Sequence, residues 1–440
     1  MISMEFFDTR IVRGRRISIV VDNSKVEEIS ESIFQGVAVR ALVDGAWGFV
    51  RSDSIEDLER SIERACGIAR AIGGREILNL AESERGLSCR VPVKKDPSSV
   101  SLEEKVDLVR EIERAARLPG ISSTRVFYTD ILTETEYSSS DGASLRSSVT
   151  RTGFGISAVA MRSGLLQSSS EIRAGVCGLE LIEREDPFEL ARRAARTALD
   201  LLDARVPEGG RFPVVLDQEL GGVFIHEAVG HAAEGDIVLE GGSILQGRVG
   251  EQIGSELVTV KDDPSLMHYG HYPFDDEGSA ARETVLVENG ILRSYLHTRE
   301  TAGRLGGSPR NARAQGYNRP IVRMSNTYLA NGDWSLEEIF EEMRDGVYLI
   351  GSRGGQVNTA EGIFQFNARR GYLVRKGEIS ELIRDVSLSG QTLSILKGVR
   401  AVADDLRFNS GGCGKGGQVV PVGDGAPHIL IDEAVVGGAG

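Results

Sequence analysis

The chain has 440 residues, more than one hydrophobic core normally organises, and carries a formal charge of −14 with no Lys/Arg block set against it. That balance argues against a nucleic-acid surface, and no window approaches the roughly 18 uninterrupted apolar residues that span a bilayer. The four cysteines, Cys66, Cys89, Cys177 and Cys413, lack framework spacing, so a reducing cytoplasm is expected rather than a disulfide scaffold.

Met1–Asp8 holds an early acid and no apolar leader core, which fits the same compartment. From Ile11 to Phe49 the sequence reads as a meander of short strands, ISIVVD, VEEISES and GVAVRALVDGAWGFV, separated by turn residues. The basic run Arg10–Arg16 reads as a solvated β-edge. Ser54 and Asp57 predict a capping box that opens a helix with Ile55, Leu58, Ile62, Ala65, Ala69 and Ile72 on its apolar stripe.

The same start signal recurs at Ser101 and Glu104, with Val106, Val109 and Ile112 on one face. Val126–Thr135 and Ser144–Met161 alternate as half-buried antiparallel strands do, with Asp141-Gly142 in the turn between them. Asp186-Pro187 caps a third helix, which ends before the cluster Pro207-Glu208-Gly209-Gly210. There the composition turns towards glycine and β-branched residues, so the boundary is placed between residues 206 and 207. The expected fold is α+β: an N-terminal domain, 1–206, of meander sheet and helices, and a β-rich, barrel-like C-terminal domain, 207–440. In the second domain Thr284–Leu296 reads as a hairpin turning at Asn289-Gly290, and Ser335–Met343 as the only other clear helix.

Chemistry concentrates at His226–His231, HEAVGH, just after the strand-like FPVVLD of Phe212–Asp217. Two of the chain's six histidines bracket a glutamate. Neutral imidazoles are zinc ligands, and the adjacent carboxylate is placed to act on water at the ion. The commoner zinc helix spaces its histidines four apart, about 40° from eclipsed. A spacing of five would separate the rings by about 140° in a regular helix, so the motif predicts a π-bulge, placed at Gly230.

Catalytic zinc normally takes three protein ligands, so a third must come from elsewhere. HYGHYPFDDEG offers His268, His271, Asp275, Asp276 and Glu277, or is simply a polar loop. His297, beside Tyr295, reads as a structural histidine or a substrate contact. NSGGCGKGGQ, Asn409–Gln418, is a glycine-rich loop in which Cys413 can approach an ion because glycine has no Cβ to obstruct it; the alternative is a tight β-turn with a buried cysteine. It is not a phosphate loop, since no Ser or Thr follows Lys415.

HEAVGH with the following AAEGD, DDEG, RPIVRMSNTYL at Arg319–Leu329 and GGCGKGGQVVPVGDGAPHILI resemble the TldD/PmbA family, in particular its metal-bearing TldD-type members. DTR and VRALVDGAWGF are similar to that family's amino-terminal domain, so the resemblance runs across essentially the whole chain. It implies a cytoplasmic zinc metallopeptidase with His226, His231 and Cys413 as Zn2+ ligands and Glu227 as the catalytic carboxylate. It further implies unfolded or extended peptides as substrate, and a homodimer or a heterodimer with a PmbA-type (TldE) subunit. Neither nucleic acid nor membrane is an expected partner.

The mechanism expected from these residues is proton removal from water by Glu227, with Tyr295, His297 or Arg310 as candidate oxyanion donors and substrate lying along a sheet edge. Two readings of another class are a metal-free interaction or regulatory subunit, which the intact HEAVGH and Cys413 oppose, and a nucleic-acid-associated regulator, which the net charge opposes.

Overall fold

Residues 4–74 and 78–438 are described by the computed structural model, so the first three residues of the Met1–Asp8 stretch lie outside it. The meander is longer than the sequence suggests. Its first two strands, Met4–Asp22 and Lys25–Val43, have 19 residues each and turn at Asn23-Ser24. Both turn residues have positive φ (47° and 68°), the primed geometry whose twist matches that of paired strands. VEEISES and GVAVRALV are therefore one strand. Gly36, read as a break between them, stays in register with Val12 and leaves room for the Tyr317 ring, which a Cβ would meet at 2.5 Å.

The sheet runs Ala46–Ser52, Lys25–Val43, Met4–Asp22, Ile121–Ser139, Ser144–Arg162, with Leu165–Gly175 and Cys89–Arg90 both paired to Ser144–Arg162. Met4–Asp22 is thus central, and Arg10–Arg16 is no edge. Arg10 is buried and donates to the carbonyls of Asp276, Gly316 and Asn318. Alternation puts Ile17, Ile19 and Val21 on one face with Val126, Tyr128 and Ile156, under Val106, Val109 and Ile112 of Leu102–Ala115 and Leu190 and Ala194 of Pro187–Asp200. Leu58–Ile72 covers the neighbouring strand on that same face through Ala65 and Ala69. Helices therefore back one face of this sheet, and the other turns towards the C-terminal half.

The helix starts divide by their caps. Ser101 and Glu104 form the full capping box, and Asp186 accepts from Glu189 N–H at 3.1 Å. The box expected at Ser54 does not form: Ser54 N–H donates to Ser52 Oγ, and the helix begins at Leu58 with no side-chain cap.

In the C-terminal half, Gly346–Asn358, Gly210–Leu216, Ile429–Gly438, Val386–Gln391 and Ile363–Arg375 pair in that order, and the last closes on the first as a five-stranded barrel. A second sheet holds Val260–Asp262, Asn326–Leu329 and the hairpin Gln418–Ala426 with Arg407–Lys415. The expected turn at Asn289-Gly290 joins Thr284–Glu288 to Ile291–Leu292 in this sheet, and the capping box at Ser335 and Glu338 opens Leu336–Met343. Short helices at Arg299–Leu305 and Thr392–Lys397 were not legible in the sequence. Among the described residues no helix is long and apolar enough to cross a membrane.

Candidate metal centre

The site is built at the end of one barrel strand. Gly210–Leu216 delivers Asp217, whose Oδ1 accepts from Leu220 N–H at 2.9 Å and from Gly351 N–H at 3.0 Å, capping the helix Gln218–Ile225 and tying it to the next barrel strand. Phe224 anchors that helix among barrel side chains, its ring 5.3 Å from Phe364 and 6.5 Å from Phe366. Gly222 lets it lie against the hairpin, since a Cβ there would sit 2.9 Å from the Asp424 carbonyl.

His226–Gly230 then form a π turn, in which His231 N–H bonds to the His226 carbonyl five residues back. This supplies the extra residue that the spacing of the histidines requires, and the two rings lie 5.1 Å apart. Gly230 is needed for packing as well: a Cβ would sit 1.9 Å from Met324 Sδ.

Cys413 is not on a loop. It lies within the strand Arg407–Lys415, paired with Val420, and the glycines after it form the tight turn Gly416-Gly417 with both φ positive. Glycine's weak strand preference disguised the hairpin, which pairing with Val419, Val420 and Val422 overrides. Cys413 Sγ stands 3.2 Å from His226 Nε2 and 3.4 Å from His231 Nε2, and one ligand atom from each of the three residues lies within 4.8 Å of the others. Glu227 Oε2 is 3.9 Å from His231 Nε2, on the partly exposed side.

Each imidazole is held from behind. His226 Nδ1 lies 2.7 Å from Asp424 Oδ1, and His231 Nδ1 lies 3.0 Å from Glu234 Oε2. Lys415 Nζ in turn contacts Glu234 at 3.1 Å, Asp236 at 2.6 Å and the Val322 carbonyl. These carboxylates fix Nε2 as the free nitrogen on both rings, the usual outer arrangement around a metal-binding histidine. The buried Arg323 guanidinium donates to the Cys413 carbonyl and fixes the strand itself.

Burial alone would push the Cys413 thiol up, but His226 and His231 outweigh it and bring it down to about 5. Burial opposes charge on His231, yet Glu234 and the Cys413 sulfur push it up to about 9; His226 is raised against the same burial by Asp424 and Cys413. Burial raises Glu227, and the two imidazoles offset this only in part. Two imidazoles and a thiolate converging on one point suit zinc. Bonds of about 2.0 Å to nitrogen and 2.3 Å to sulfur at a tetrahedral angle put N and S about 3.5 Å apart, close to the separations seen.

The other ligand candidates lie elsewhere. Glu277 pairs with Arg40 at 2.6 Å and accepts from Arg299 N–H; Asp276 pairs with Arg10; Asp275 accepts from three backbone N–H groups. His271 Nδ1 contacts the Pro264 carbonyl, and His268 stacks on Phe408 at 3.9 Å. Tyr295 donates to the Leu245 carbonyl, Arg310 to the Glu283 carbonyl, and His297 Nδ1 contacts Thr301 Oγ1, so all three proposed oxyanion donors are engaged in structural contacts. Sequence reasoning missed Glu234, Asp424 and Arg323. The signal for the first was present: a glutamate three residues past His231 sits one turn along, within reach of its Nδ1.

Comparison with known proteins bears on the whole chain. Domain models described as PmbA/TldA metallopeptidase match residues 7–69 (domain 1), 95–202 (central domain) and 209–438 (C-terminal domain). A protein named Metalloprotease from Methanothermobacter thermautotrophicus is 44% identical over 436 residues, covering 99% of this chain and 96% of the relative. The Zinc metalloprotease TldD homolog of Saccharolobus solfataricus is 31% identical over 443 residues, covering 98% and 96%. The crystal structure of TldE from Thermococcus kodakarensis has the same fold, with a TM-score of 0.79 at 19% identity over 99% of this chain and 97% of that one. With its three domain models following one another along the chain and full-length relatives on either side of one third identity, this chain belongs to the PmbA/TldD metallopeptidase family.

Proposed function

We propose that this protein is a zinc-dependent peptidase that hydrolyses unfolded or extended peptides, with His226, His231 and Cys413 holding the ion and Glu227 as general base. The observation that carries the reading is the convergence of three ligand atoms within 4.8 Å, with the Glu227 carboxylate beside them. A zinc ion there would polarise the scissile carbonyl and acidify water. Glu227, raised by burial, takes the proton from the attacking water and passes it to the leaving nitrogen. Asp424 and Glu234 hold the imidazoles in the tautomer that presents Nε2. Phe224, packed against Phe364 of the barrel, anchors the helix that leads into the π turn.

The name of the Saccharolobus relative supports zinc, and the TldE neighbour supports a family fold in which this chain works as a homodimer or beside a PmbA-type subunit. A cytoplasmic location and a domain division between residues 206 and 207 belong to the same proposal. The division is supported by the strand Gly210–Leu216, which opens the barrel directly after the helices that back the first sheet. The test is metal analysis of the purified protein together with digestion of unfolded casein, with and without a chelator. Stoichiometric zinc and chelator-sensitive cleavage are expected; cleavage that survives complete zinc removal would refute the reading.

A further inference from the structure

The hairpin Arg407–Ala426 has two faces. Alternation turns Cys413 and Asp424 towards the metal centre and Ser410, Gly412, Val419 and Pro421 the other way. On that other side, between the hairpin and the helix-free face of the first sheet, lies a cavity of about 680 Å³, within the range of about 300–1,000 Å³ usual for ligand sites. Val12, Arg16, Ile131 and Val149 contribute from the sheet, and Tyr269, Tyr272 and Phe274 from the C-terminal half.

Its charges do not cancel. Arg16, Arg151 and Arg313 all line it, and among the described residues none of the three has a carboxylate partner. Arg151 donates only to the carbonyls of Tyr269 and His271, and Arg313 only to those of Met324 and Pro421 while lying over the Tyr272 ring at 5.1 Å. Two acids reach the cavity, and both are accounted for. Asp276 pairs with Arg10 and accepts from Ala314 N–H, whereas both oxygens of Asp275 are taken by the backbone N–H groups of Glu277, Ser279 and Ala312. Burial, followed by the neighbouring Arg313 charge, brings the Arg151 guanidinium down to about 10. Guanidinium groups with aromatic and branched apolar walls suit a ligand with an anionic head and an apolar body.

We infer that this cavity is a second binding site, on the back of the metal-bearing hairpin, for a peptide segment that ends in a carboxylate and carries aromatic or branched apolar side chains. That the ligand is a peptide rests on the peptidase reading; the need for an anion rests on the arginines alone. Such a site would hold one end of a chain while another part lies at the metal centre, and would select for flexible substrates long enough to reach round the hairpin.

The test is fluorescence anisotropy of a labelled Phe-Val-Phe peptide as free acid and as C-terminal amide, on the Glu227→Gln chain so that no bond is cut, before and after chelation. The free acid should bind at least about tenfold tighter, as charge-assisted pairs to arginine do, and the difference should survive chelation. Arg151→Met should remove the difference. Should that variant fail to fold, Arg16→Gln, at an exposed side chain, and Val419→Glu, which puts a carboxylate at the cavity mouth, should each reduce it. Equal binding of acid and amide would overturn the inference. So would a difference that disappears on chelation, which would put the carboxylate on the metal, or one that none of the three cavity variants changes. Failure of the peptidase reading would show separately, as absent casein cleavage with acid-selective binding intact.

Discussion

Two buried ionic clusters in this chain use similar residues for different ends. Around Arg40, the one guanidinium contacts both Asp8 and Glu277, Glu277 takes a further backbone N–H from Arg299, and the plane lies over Trp47 at 4.9 Å, so both carboxylates are engaged inside the cluster. Around Cys413, the carboxylates Asp424 and Glu234 occupy only the back nitrogens of the two imidazoles, and three donor atoms are left facing one another. The first cluster closes on itself and ties the first sheet to the C-terminal half. The second leaves three ligand atoms close enough together to hold a cation. The difference teaches that burial and charge alone do not mark a functional site; donors aimed at a common point do.

Breaking the closed cluster should give the largest effect. Arg40→Met would leave Asp8 and Glu277 buried without their partner, so denaturant unfolding should show a loss of about 3–5 kcal/mol. The zinc content of the protein that remains folded should not change. An equal loss of zinc would mean that the two clusters are not independent.

Within the open cluster, Glu227→Gln should lower casein turnover on the order of 100-fold or more while zinc and the thermal transition stay near those of the wild type, as removal of a general base does. Loss of zinc instead would make Glu227 a ligand. Next in size, Cys413→Ala should lower zinc affinity by at least about tenfold and abolish cleavage, and Asp424→Asn should cost about 10–100-fold in affinity through the ring it orients. Cys66→Ala and Cys177→Ala should change neither, which competition with a chromophoric chelator would show.

Much of this contrast was readable in the sequence, and what was not has physical reasons. The spacing of His226 and His231 forced a π turn, and Ser101, Asp186 and Ser335 announced their helices, because both are local geometry. Barrel closure joins Gly346–Asn358 to strands on both sides, one of them more than a hundred residues earlier, and no local pattern encodes such pairing. Arg10 looked solvated because its acceptors are backbone carbonyls some 270 to 310 residues away, which have no signature in the sequence. Glycines around Cys413 suggested a loop, whereas pairing with the valine-rich strand decides the conformation. Asp424 was invisible for the same reason, since it faces His226 only once the hairpin forms.

The smallest expected effect is on pH dependence. His231 is held up to about 9 from an ordinary 6.5, so its contribution to folding of the chain without metal is complete below about 6.5 and is lost as pH rises through 9. A ligand must give up that proton, so zinc affinity should climb over the same interval. Glu234→Gln removes the strongest contact holding the proton and should move the climb to lower pH in isothermal titrations. A flat profile in both proteins would show that this proton does not compete with the metal.

The most direct test of the open cluster is X-ray absorption at the zinc edge of the loaded protein. The account predicts one sulfur at about 2.3 Å and two imidazole nitrogens at about 2.0–2.1 Å, with the sulfur shell absent in Cys413→Ala. A wild-type spectrum with only nitrogen and oxygen neighbours, or a sulfur shell that persists in that variant, would contradict it.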